Sequence, residues 1–333
     1  MLPSPSAGGL PVIDLEGEPR DVDLLLDRAC CELGFFYVIG HGVDPQVIAA
    51  LAGLARVFFA QPLERKLRIA MARGGRAWRG YFPVGGELTS GRPDRKEGLY
   101  FGTELTREDP RVQAGLPLHG PNLFPELPGW PQRVPEYMQA VTALGQRLLC
   151  GIAAGLGLPR DYFLSRYTND PTVLFRIFNY PPGSSTDQMG VGEHTDYGLL
   201  TLLWQDETGG LELWHRDRWL SVPPIPGSFV CNVGDMLERL TAGRYVSALH
   251  RARNDSQHDR ISMPLFLDPS FDAVLEPIVH CSIPAGATSS NVQRARARWD
   301  GLDLTTLKGT YGDYLVGKVS QVFPQLRGQH LDR

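Results

Sequence analysis

The stretch HTDYGLLTLLWQ, residues 194–205, carries two signals next to each other. Its second part, Gly198–Gln205, is rich in apolar residues and indicates a β-strand. Its first part, His194-Thr195-Asp196, places an imidazole and a carboxylate two residues apart. Residues i and i+2 of a strand point to the same face, so these two side chains can bind one metal ion. We therefore expect a β-structure that carries a metal site.

The same pattern occurs twice more, at His215-Arg216-Asp217 and His330-Leu331-Asp332, so by itself it is a weak signal. The context favours the first match. Downstream of it, His250 lies in a strand-like run and can supply a third ligand from another strand. Two histidines and one carboxylate form the facial triad of non-haem Fe(II) oxygenases, which leaves coordination positions open.

Arg260-Ile261-Ser262 begins ten residues after His250 and again places two polar side chains on one strand face. An arginine there can bind a carboxylate through two hydrogen bonds, and the serine can donate to the same group. Taken singly, His250 could be a buried structural histidine and Arg260 an ion-pair partner. Taken together, these residues predict a dicarboxylate anchor beside a metal.

Glycine and proline, 37 and 27 residues, make up 64 of the 333 residues, or about 19% against about 12% on average. This composition argues against a helix bundle. After residue 172 the sequence predicts short strands separated by Gly, Pro and Asp turns. The predicted strands are Val173–Tyr180, Gly198–Gln205, Leu211–Leu220, Ser228–Val233, Tyr245–Arg253, Arg260–Leu267 and Ala273–Glu276. Such a series is typical of a jelly roll or barrel.

The first half of the chain mixes predicted helices and strands. Apolar periodicity predicts one helix over residues 21–33, which Gly34 ends, and another over residues 45–60, before Pro62. This half ends in a cluster of seven prolines between residues 110 and 135. Each proline fixes φ and removes a hydrogen-bond donor, so we expect no regular element there. The predicted organisation has six parts: a disordered tail (1–9), an N-terminal wrapper (10–109), a proline-rich connection (110–135), a long helix with its lead-in (136–170), a jelly-roll core (171–280) and a C-terminal helical segment (281–333).

Composition also limits the partners. The hydrophobic fraction of 42% and the charged fraction of 21% are ordinary for a globular protein. The net charge of −4 without a basic stripe argues against nucleic acid, and no apolar run has the length of a membrane span. The five scattered cysteines fit neither a disulfide framework nor a zinc site. We expect a soluble cytoplasmic protein, a monomer by default, with a small molecule as its partner.

Short motifs spread over most of the chain match one known family. Besides the metal and dicarboxylate motifs they are Pro11-Val12-Ile13-Asp14, Gly34-Phe35-Phe36-Tyr37, His41-Gly42, Phe58-Phe59, Gly80-Tyr81, Leu127-Pro128-Gly129-Trp130, Tyr180-Pro181-Pro182, Gly209-Gly210-Leu211 and Asn232-Val233-Gly234-Asp235. In them the chain resembles the Fe(II)/2-oxoglutarate-dependent dioxygenases of the isopenicillin N synthase-like group. The resemblance implies a mainly β fold with flanking helices, in which a double-stranded β-helix, or jelly roll, is wrapped by an α/β N-terminal half.

The resemblance also implies cofactors and site residues. His194, Asp196 and His250 would be the Fe(II) ligands, Arg260 and Ser262 would bind the distal carboxylate of 2-oxoglutarate, and Tyr180 would hydrogen-bond that cosubstrate. The expected reaction uses O₂ to hydroxylate or desaturate a small-molecule metabolite and releases succinate and CO₂. A carboxylate ligand at Asp196 argues against halogenation, because related halogenases have a small residue there.

Two loops, 80–94 and 111–121, resemble bacterial ethylene-forming enzymes, and this resemblance implies Glu87, Thr89 and Arg176 as substrate-pocket residues. The predicted helix from Tyr311 to Val322 departs from those enzymes because Gln321 stands where an arginine is expected. Three aromatic residues on predicted strands, Phe175, Trp204 and Phe266, are further candidates for lining an apolar pocket.

Several functions remain open at this stage. One is an oxidase like isopenicillin N synthase, which uses iron and O₂ without 2-oxoglutarate and also has an R-x-S motif. Others are an ethylene-forming-type enzyme and a jelly roll that only binds a small ligand. A nicotinamide dehydrogenase is excluded, since no G-x-G-x-x-G follows a predicted strand.

Overall fold

Two facing β-sheets and a layer of helices make up the architecture seen in a computed structural model, which describes residues 6–183, 189–278, 304–325 and 328. The helices are α1 (Pro19–Glu32), α2 (Pro45–Phe59), α3 (Leu63–Lys66), α4 (Pro110–Gln113), α5 (Trp130–Gly155), α6 (Tyr162–Arg166), α7 (Asp235–Leu240) and α8 (Tyr311–Val322). Short 3₁₀ turns occur at Leu67–Ile69, Met71–Arg73, Gly75–Ala77 and Leu304–Thr306.

The strands are β1 (Ser6–Ala7), β2 (Leu10–Asp14), β3 (Phe35–Ile39), β4 (Gly80–Phe82), β5 (Leu88–Thr89), β6 (Arg92–Pro93), β7 (Glu97–Gly102), β8 (Pro171–Tyr180), β9 (Val191–His194), β10 (Leu200–Gln205), β11 (Leu211–His215), β12 (Arg218–Val222), β13 (Phe229–Val233), β14 (His250–Ala252) and β15 (Arg260–Ser270). The major sheet has the order β1-β2-β3-β13-β10-β15-β8-β7-β4, and the minor sheet has the order β12-β11-β14-β9. β5 and β6 form a separate hairpin. The two sheets form the predicted jelly roll.

The N-terminal half is part of the sheet as well as a cover for it. β3 pairs with β13, and β7 pairs with β8, so strands from the first hundred residues extend the major sheet on both sides. On the outer face, α1 and α2 pack on α5, and α5 packs on β10 and β15. A smaller apolar cluster lies between the sheets, with Phe35, Leu203 and Leu213 among its members.

Some predicted strands differ from those observed. The run Leu211–Leu220 is a hairpin of two strands, because Arg216 and Asp217 take positive φ values of 48° and 61° and reverse the chain. In the run Tyr245–Arg253 only β14 pairs as a strand, since it alone lies beside β9 and β11. Residues 273–276 form no strand.

The proline-rich connection also contains regular structure. α4 begins at Pro110, and α5 begins at Trp130, with Pro131 in its first turn and Pro135 farther inside. The first turn of a helix has no internal partner for its N–H groups, so a proline there loses nothing. The long helix therefore starts before the predicted residue 136.

The two chain ends differ from the prediction in part. Residues 6 and 7 of the predicted tail pair with β2 as a short strand, while residues 1–5 lie outside the described residues. Most of the predicted segment 281–333, including His330-Leu331-Asp332, also lies outside them. The predicted helix from Tyr311 to Val322 is present as α8. Among the described helices, none has the length and apolar character that a bilayer span needs.

Candidate active site

Two neighbouring strands of the minor sheet bring the two predicted histidine ligands together. His194 ends β9, and His250 begins β14 directly opposite it in the antiparallel register. Their ring centroids are 4.2 Å apart. His250 is buried and packs edge-on against Phe35 of the major sheet, at 5.1 Å between centroids. Both imidazoles therefore lie between the sheets.

Asp196 supplies the carboxylate from just beyond the end of β9, where the chain is no longer a strand. The i, i+2 strand geometry predicted for His194 and Asp196 is therefore wrong, although the two side chains do meet. Asp196 Oδ2 accepts hydrogen bonds of 2.6 Å from Thr201 Oγ1 and from Asn232 Nδ2. Its Oδ1 lies 3.8 Å from Nε2 of each histidine. Oδ2 is thus used to orient the side chain, and Oδ1 faces the imidazoles.

The protonation states of these three side chains suit a divalent cation. The Nδ1 atoms of His194 and His250 donate to the carbonyl oxygens of Gly192 and Ala248, at 2.9 and 3.1 Å, which leaves each Nε2 lone pair for a metal. Burial, followed by the adjacent His194, lowers the pKa of His250 to about 4. Burial acts to raise the pKa of Asp196, but the two imidazoles and its hydrogen bonds outweigh that effect and lower it.

The three ligand atoms all lie within 4.8 Å of one another, and they form the one such group of His, Cys, Asp and Glu among the described residues. Neutral imidazole nitrogens and an ionised carboxylate are the ligands of non-haem Fe(II). The neighbouring strand residues His215 and Asp217 belong to the β11–β12 hairpin and are not part of the group.

A cavity of about 140 Å³ extends from the metal ligands across the inner face of the major sheet. Arg260 and Ser262 line it from β15, and Tyr180 lines it from β8. The Arg260 side chain is 1% exposed, and its Nη1 has no hydrogen-bond partner among the described residues. Its Nε donates to the Gly209 carbonyl, and its guanidinium lies 4.5 Å from the Tyr180 ring centroid. The unused, buried Nη1 donor suits an anionic group in the cavity.

The opposite side of the cavity holds a cluster of charged residues from the N-terminal half. Glu87 is 8% exposed, its Oε1 accepts from Tyr100 Oη, and its Oε2 lies 2.8 Å from Lys96 Nζ. Lys96 also pairs with Asp94, which accepts a 2.7 Å hydrogen bond from Thr89 Oγ1. Glu87 and Thr89 both line the cavity, and the Thr89 hydroxyl is held by Asp94.

Two more predicted residues line the cavity from the major sheet. Arg176 is 7% exposed, and its guanidinium carbon lies 3.4 Å from the Tyr100 ring centroid. Arg176 Nη1 donates to the carbonyl oxygen of Phe101 at 3.3 Å. The Phe266 ring is 5.9 Å from the same guanidinium. These contacts fix a positive charge against an aromatic wall.

The other two aromatic candidates do not line this cavity. Phe175 lies on the outer face of β8, where its ring packs 4.9 Å from that of Tyr137 in α5. Trp204 follows Leu203, which lines the cavity, so its side chain points to the opposite face of β10. Alternation along a strand predicts that neighbours point apart, but it does not say which face is inside.

The C-terminal helix closes the apolar side of the cavity. Leu315, Val319 and Val322 of α8 line it at helical spacing. Gln321 is exposed on the same helix and does not line it. The sequence prediction missed this role of α8, although its apolar residues at i, i+4 and i+7 are the signal of a buried helix face.

Other residues that sequence reasoning missed are the polar neighbours of the site. Asn232 and Thr201 orient Asp196, and Lys96 balances Glu87 and Asp94. Asp268 lines the cavity with Oδ1 unpartnered among the described residues. An acidic residue in an otherwise apolar strand is the sequence signal that could have found Asp268, which ends the run Leu265-Phe266-Leu267-Asp268.

A buried site of two histidines and one carboxylate lies between the sheets of a jelly roll, beside an arginine that has no ion pair among the described residues. This arrangement defines the class of non-haem Fe(II) oxygenases. Comparison with known proteins supports this class. A family model described as the non-haem dioxygenase in morphine synthesis N-terminal matches residues 10–127. The model of the 2OG-Fe(II) oxygenase superfamily matches residues 163–269.

Individual relatives agree over nearly the whole chain. A "probable iron/ascorbate oxidoreductase" of Dictyostelium discoideum is 44% identical over 97% of both chains. A homoarginine-6-hydroxylase of Arabidopsis thaliana is 37% identical over 90% of this chain and 88% of its own. The crystal structure of a full-length Neurospora crassa protein in complex with alpha-KG, that is 2-oxoglutarate, superimposes with a TM-score of 0.75 at 26% identity, over 93% of this chain and 95% of that chain.

The chain belongs to the 2OG-Fe(II) oxygenase superfamily. It is an oxidoreductase that uses Fe(II), 2-oxoglutarate and O₂ to oxidise a small metabolite.

Proposed function

We propose that the chain hydroxylates an amino acid with a cationic side chain, and that it does so at a C–H bond held beside the metal. The observation that carries this proposal is the buried Glu87 carboxylate in the cavity wall, which shares the single ammonium of Lys96 with Asp94, so that two carboxylates face one cation. A substrate guanidinium or ammonium could donate to the Glu87 carboxylate. The homoarginine-6-hydroxylase relative supports the same substrate class, because homoarginine is an amino acid with a guanidinium group.

The cavity also offers the opposite charge. Arg176 is held rigidly against Tyr100 and lines the same space as Glu87. A substrate with a carboxylate at one end and a cation at the other can contact both residues. Such a pair of contacts would fix the substrate's orientation, and orientation is a large part of what an enzyme contributes to a reaction of this kind.

We further propose roles for the residues near the metal. His194, Asp196 and His250 hold Fe(II), and Arg260 Nη1 and Ser262 Oγ bind the distal carboxylate of 2-oxoglutarate. Tyr180 Oη lies 3.4 Å from Ser262 Oγ and completes this set. The bound iron, cosubstrate and O₂ supply the oxidant for the C–H bond. The overall reaction is substrate, 2-oxoglutarate and O₂ to hydroxylated substrate, succinate and CO₂, so one oxygen atom enters the alcohol and the other enters succinate.

Apolar side chains form part of the wall around the reacting centre. Leu315 and Val319 of α8 cover one side, and Phe266 covers another. An apolar surrounding strengthens the contacts of Glu87 and Arg176 with a charged substrate.

The proposal is tested by supplying the iron-loaded enzyme with a panel of small metabolites and measuring 2-oxoglutarate consumption and product mass. Homoarginine, arginine and lysine form the cationic set, and neutral and acidic amino acids and a pyrimidine form the comparison sets. We expect a cationic amino acid to trigger consumption and to gain one oxygen atom. Stimulation by neutral or acidic compounds alone would contradict the substrate class.

The variant Glu87→Gln links the substrate to the site. It removes the charge but keeps the shape, so KM for the cationic substrate should rise by at least about tenfold, since hydrogen bonds to charged groups contribute about 1.5–3 kcal/mol. Glu126→Gln is the matched control, because Glu126 is a surface residue with a side chain 71% exposed. An unchanged KM in Glu87→Gln would remove Glu87 from the substrate site.

A further inference from the structure

A second cavity of about 200 Å³ adjoins the catalytic one. Leu174 of β8 lines both, and Arg79, Thr103, His119 and Thr172 are among the other residues that line the second cavity. It contains none of the metal ligands and none of the residues proposed to bind 2-oxoglutarate. Its most unusual feature is Arg79.

Arg79 is an arginine with unused donors inside the protein. Its side chain is 3% exposed, and only Nη2 has a hydrogen bond within the described part of the chain, to the Leu118 carbonyl at 2.9 Å. Nε and Nη1 are buried and have no hydrogen-bond partner among the described residues. Leaving buried donors of a charged group unpaired costs about 1–3 kcal/mol or more. A ligand that accepts hydrogen bonds from these donors would offset this cost. Without one, Arg79 lowers the stability of the fold.

The backbone around Arg79 leaves room for its guanidinium. A Cβ atom added to Gly102 would lie 1.4 Å from Arg79 Nη1 and 2.1 Å from its central carbon. Asn122 fixes this part of β7, since its side chain bonds to both the N–H and the C=O of Gly102 at 3.0 and 2.8 Å. The position of the guanidinium is therefore set by the strand beside it.

Within the described ranges, no carboxylate forms an ion pair with Arg79. Glu104 is the acidic group whose charge acts to raise the pKa of Arg79. However, Glu104 Oε2 already accepts hydrogen bonds from the backbone N–H and the side chain of Asn122, at 2.9 and 2.6 Å. Burial, followed by the charge of Arg176, lowers the pKa of Arg79 to about 9. The guanidinium is still charged at neutral pH.

The mouth of the cavity carries charged groups of both signs. Arg111 pairs with Asp109 at 2.9 Å and with Asp170 at 3.0 Å. His119 Nδ1 donates to the Pro117 carbonyl at 2.8 Å, and burial lowers the pKa of His119, which favours its neutral form. Asp272 also lines the cavity and is exposed. Among the charged residues that line the cavity, Arg79 is the buried one, and it has no ion pair within the described ranges.

We propose that this cavity is a second ligand site, in which Arg79 binds a small oxyanion, a carboxylate or a phosphate, separately from the catalytic centre. The oxyanion accepts hydrogen bonds from the unused nitrogens of Arg79. Leu174 separates this cavity from the catalytic one. A bound oxyanion would therefore change the surroundings of Leu174, which is part of the active-site wall, without blocking the active site.

The test is isothermal titration of the full-length, metal-free protein with inorganic phosphate and, in a second arm, with acetate. Four proteins are compared: the unmodified chain, Arg79→Gln, Arg260→Ala and Arg107→Gln. Arg260→Ala removes the other buried arginine that could bind an anion, and Arg107 is an exposed arginine that serves as the matched control. Binding to Arg79 should be at least about tenfold weaker in Arg79→Gln and unchanged in Arg107→Gln and Arg260→Ala.

A second variant keeps the test valid if Arg79→Gln does not fold. Thr172→Phe fills the cavity without changing Arg79, and it should also abolish binding. Absence of binding to the unmodified chain, or binding that is lost in Arg260→Ala and kept in Arg79→Gln, would overturn the proposal. The relative strength of the phosphate and acetate arms tells which kind of oxyanion the site prefers. Because substrate turnover is not measured, failure here leaves the proposed hydroxylase activity unaffected.

Discussion

Two hydrogen bonds orient Asp196, the carboxylate proposed to bind the metal. Thr201 and Asn232 both donate to Oδ2, which leaves Oδ1 directed at the two imidazoles. Residues that orient a ligand in this way are as much part of a metal site as the ligand itself. Neither was singled out by the metal pattern, because a threonine on an apolar strand has no distinctive spacing.

Thr201→Val tests this orienting role. Valine has the shape of threonine but cannot donate, so Asp196 loses one of its two hydrogen bonds and we expect Fe(II) affinity to fall by roughly 10- to 100-fold. Iron binding is measured by anaerobic titration, with folding checked by circular dichroism. Thr106→Val, at an exposed position, is the matched control. Equal iron affinity in Thr201→Val and in the unmodified chain would show that Asn232 alone suffices.

At this scale the sequence indicates the candidate metal ligands but gives little information about the substrate side. His194, Asp196 and His250 have a recognisable spacing and context, and the structure brings them together. Glu87 lies in a glycine-rich loop of the kind that is usually exposed, and its burial depends on contacts with Tyr100, 13 residues farther along, and with Lys96. Contacts across such a loop follow no helical or strand period.

At the scale of elements, Gly34 joins helix α1 to strand β3 and shows why a particular residue is needed there. Its φ is 66°, and a Cβ at this position would lie 1.9 Å from the carbonyl oxygen of Val246. Gly34 also accepts a 2.9 Å hydrogen bond from Val233 N, which ties the helix end to β13. Sequence reasoning predicted that the helix ends at this glycine but not this close approach.

Gly34→Ala is expected to destabilise the protein more than Gly42→Ala does. Both glycines have positive φ, and a left-handed alanine costs about 1–2 kcal/mol. Gly42 has no described atom within 4 Å of an added Cβ, whereas Gly34 meets backbone. Urea unfolding gives the two free energies of unfolding. An equal decrease in the free energy of unfolding in the two variants would mean that the backbone near Val246 can move away from the added methyl group at no cost in stability.

Helix α8 is attached to the sheet by a buried carboxyl. Tyr311 of α8 donates a 2.5 Å hydrogen bond to Asp268 Oδ2 of β15. Burial raises the pKa of Asp268 to about 7, from an ordinary value of 3.8. In the folded protein this group therefore stays protonated up to about pH 7, while in the unfolded chain it ionises near pH 4.

The raised pKa of Asp268 predicts a pH dependence of stability. Between about pH 4 and pH 7 the unfolded chain binds fewer protons at this position than the folded protein, so its contribution to stability falls as the pH rises. Asp268→Asn should remove this contribution and flatten the dependence. Urea unfolding of the metal-free proteins at several pH values between about 4.5 and 7.5 measures it. A dependence equally steep in both proteins would contradict the raised pKa.

The bounds of a helix or strand were predicted most accurately where they depend on the sequence of that segment alone. α1, α2 and α8 follow from apolar periodicity and their flanking Gly or Pro residues, and they are observed close to the predicted bounds. β14 is shorter than predicted because strand pairing depends on which partners are adjacent. The β11–β12 turn uses Arg216 and Asp217 at positive φ, which the usual turn signal of Asn and Gly does not reveal.

For the whole molecule, the N-terminal half and the jelly roll form a single functional unit. β3 and β7 extend the major sheet, and Glu87, Thr89 and Lys96 supply one wall of the catalytic cavity. The metal ligands come from the other half of the chain. Sequence reasoning separated a wrapper from a core, but it could not show that the wrapper supplies the substrate side of the site.

The central claim is that Fe(II) and 2-oxoglutarate bind together, the metal at His194, Asp196 and His250 and the distal carboxylate at Arg260. It is tested most directly by adding Fe(II) and then 2-oxoglutarate to the full-length protein without oxygen, and following the weak visible charge-transfer absorption of the chelate. We predict that the band forms in the unmodified chain, is absent in His194→Ala, and needs at least about tenfold more 2-oxoglutarate in Arg260→Ala. Absence of the band in the unmodified chain, or an identical titration in Arg260→Ala, would contradict the account.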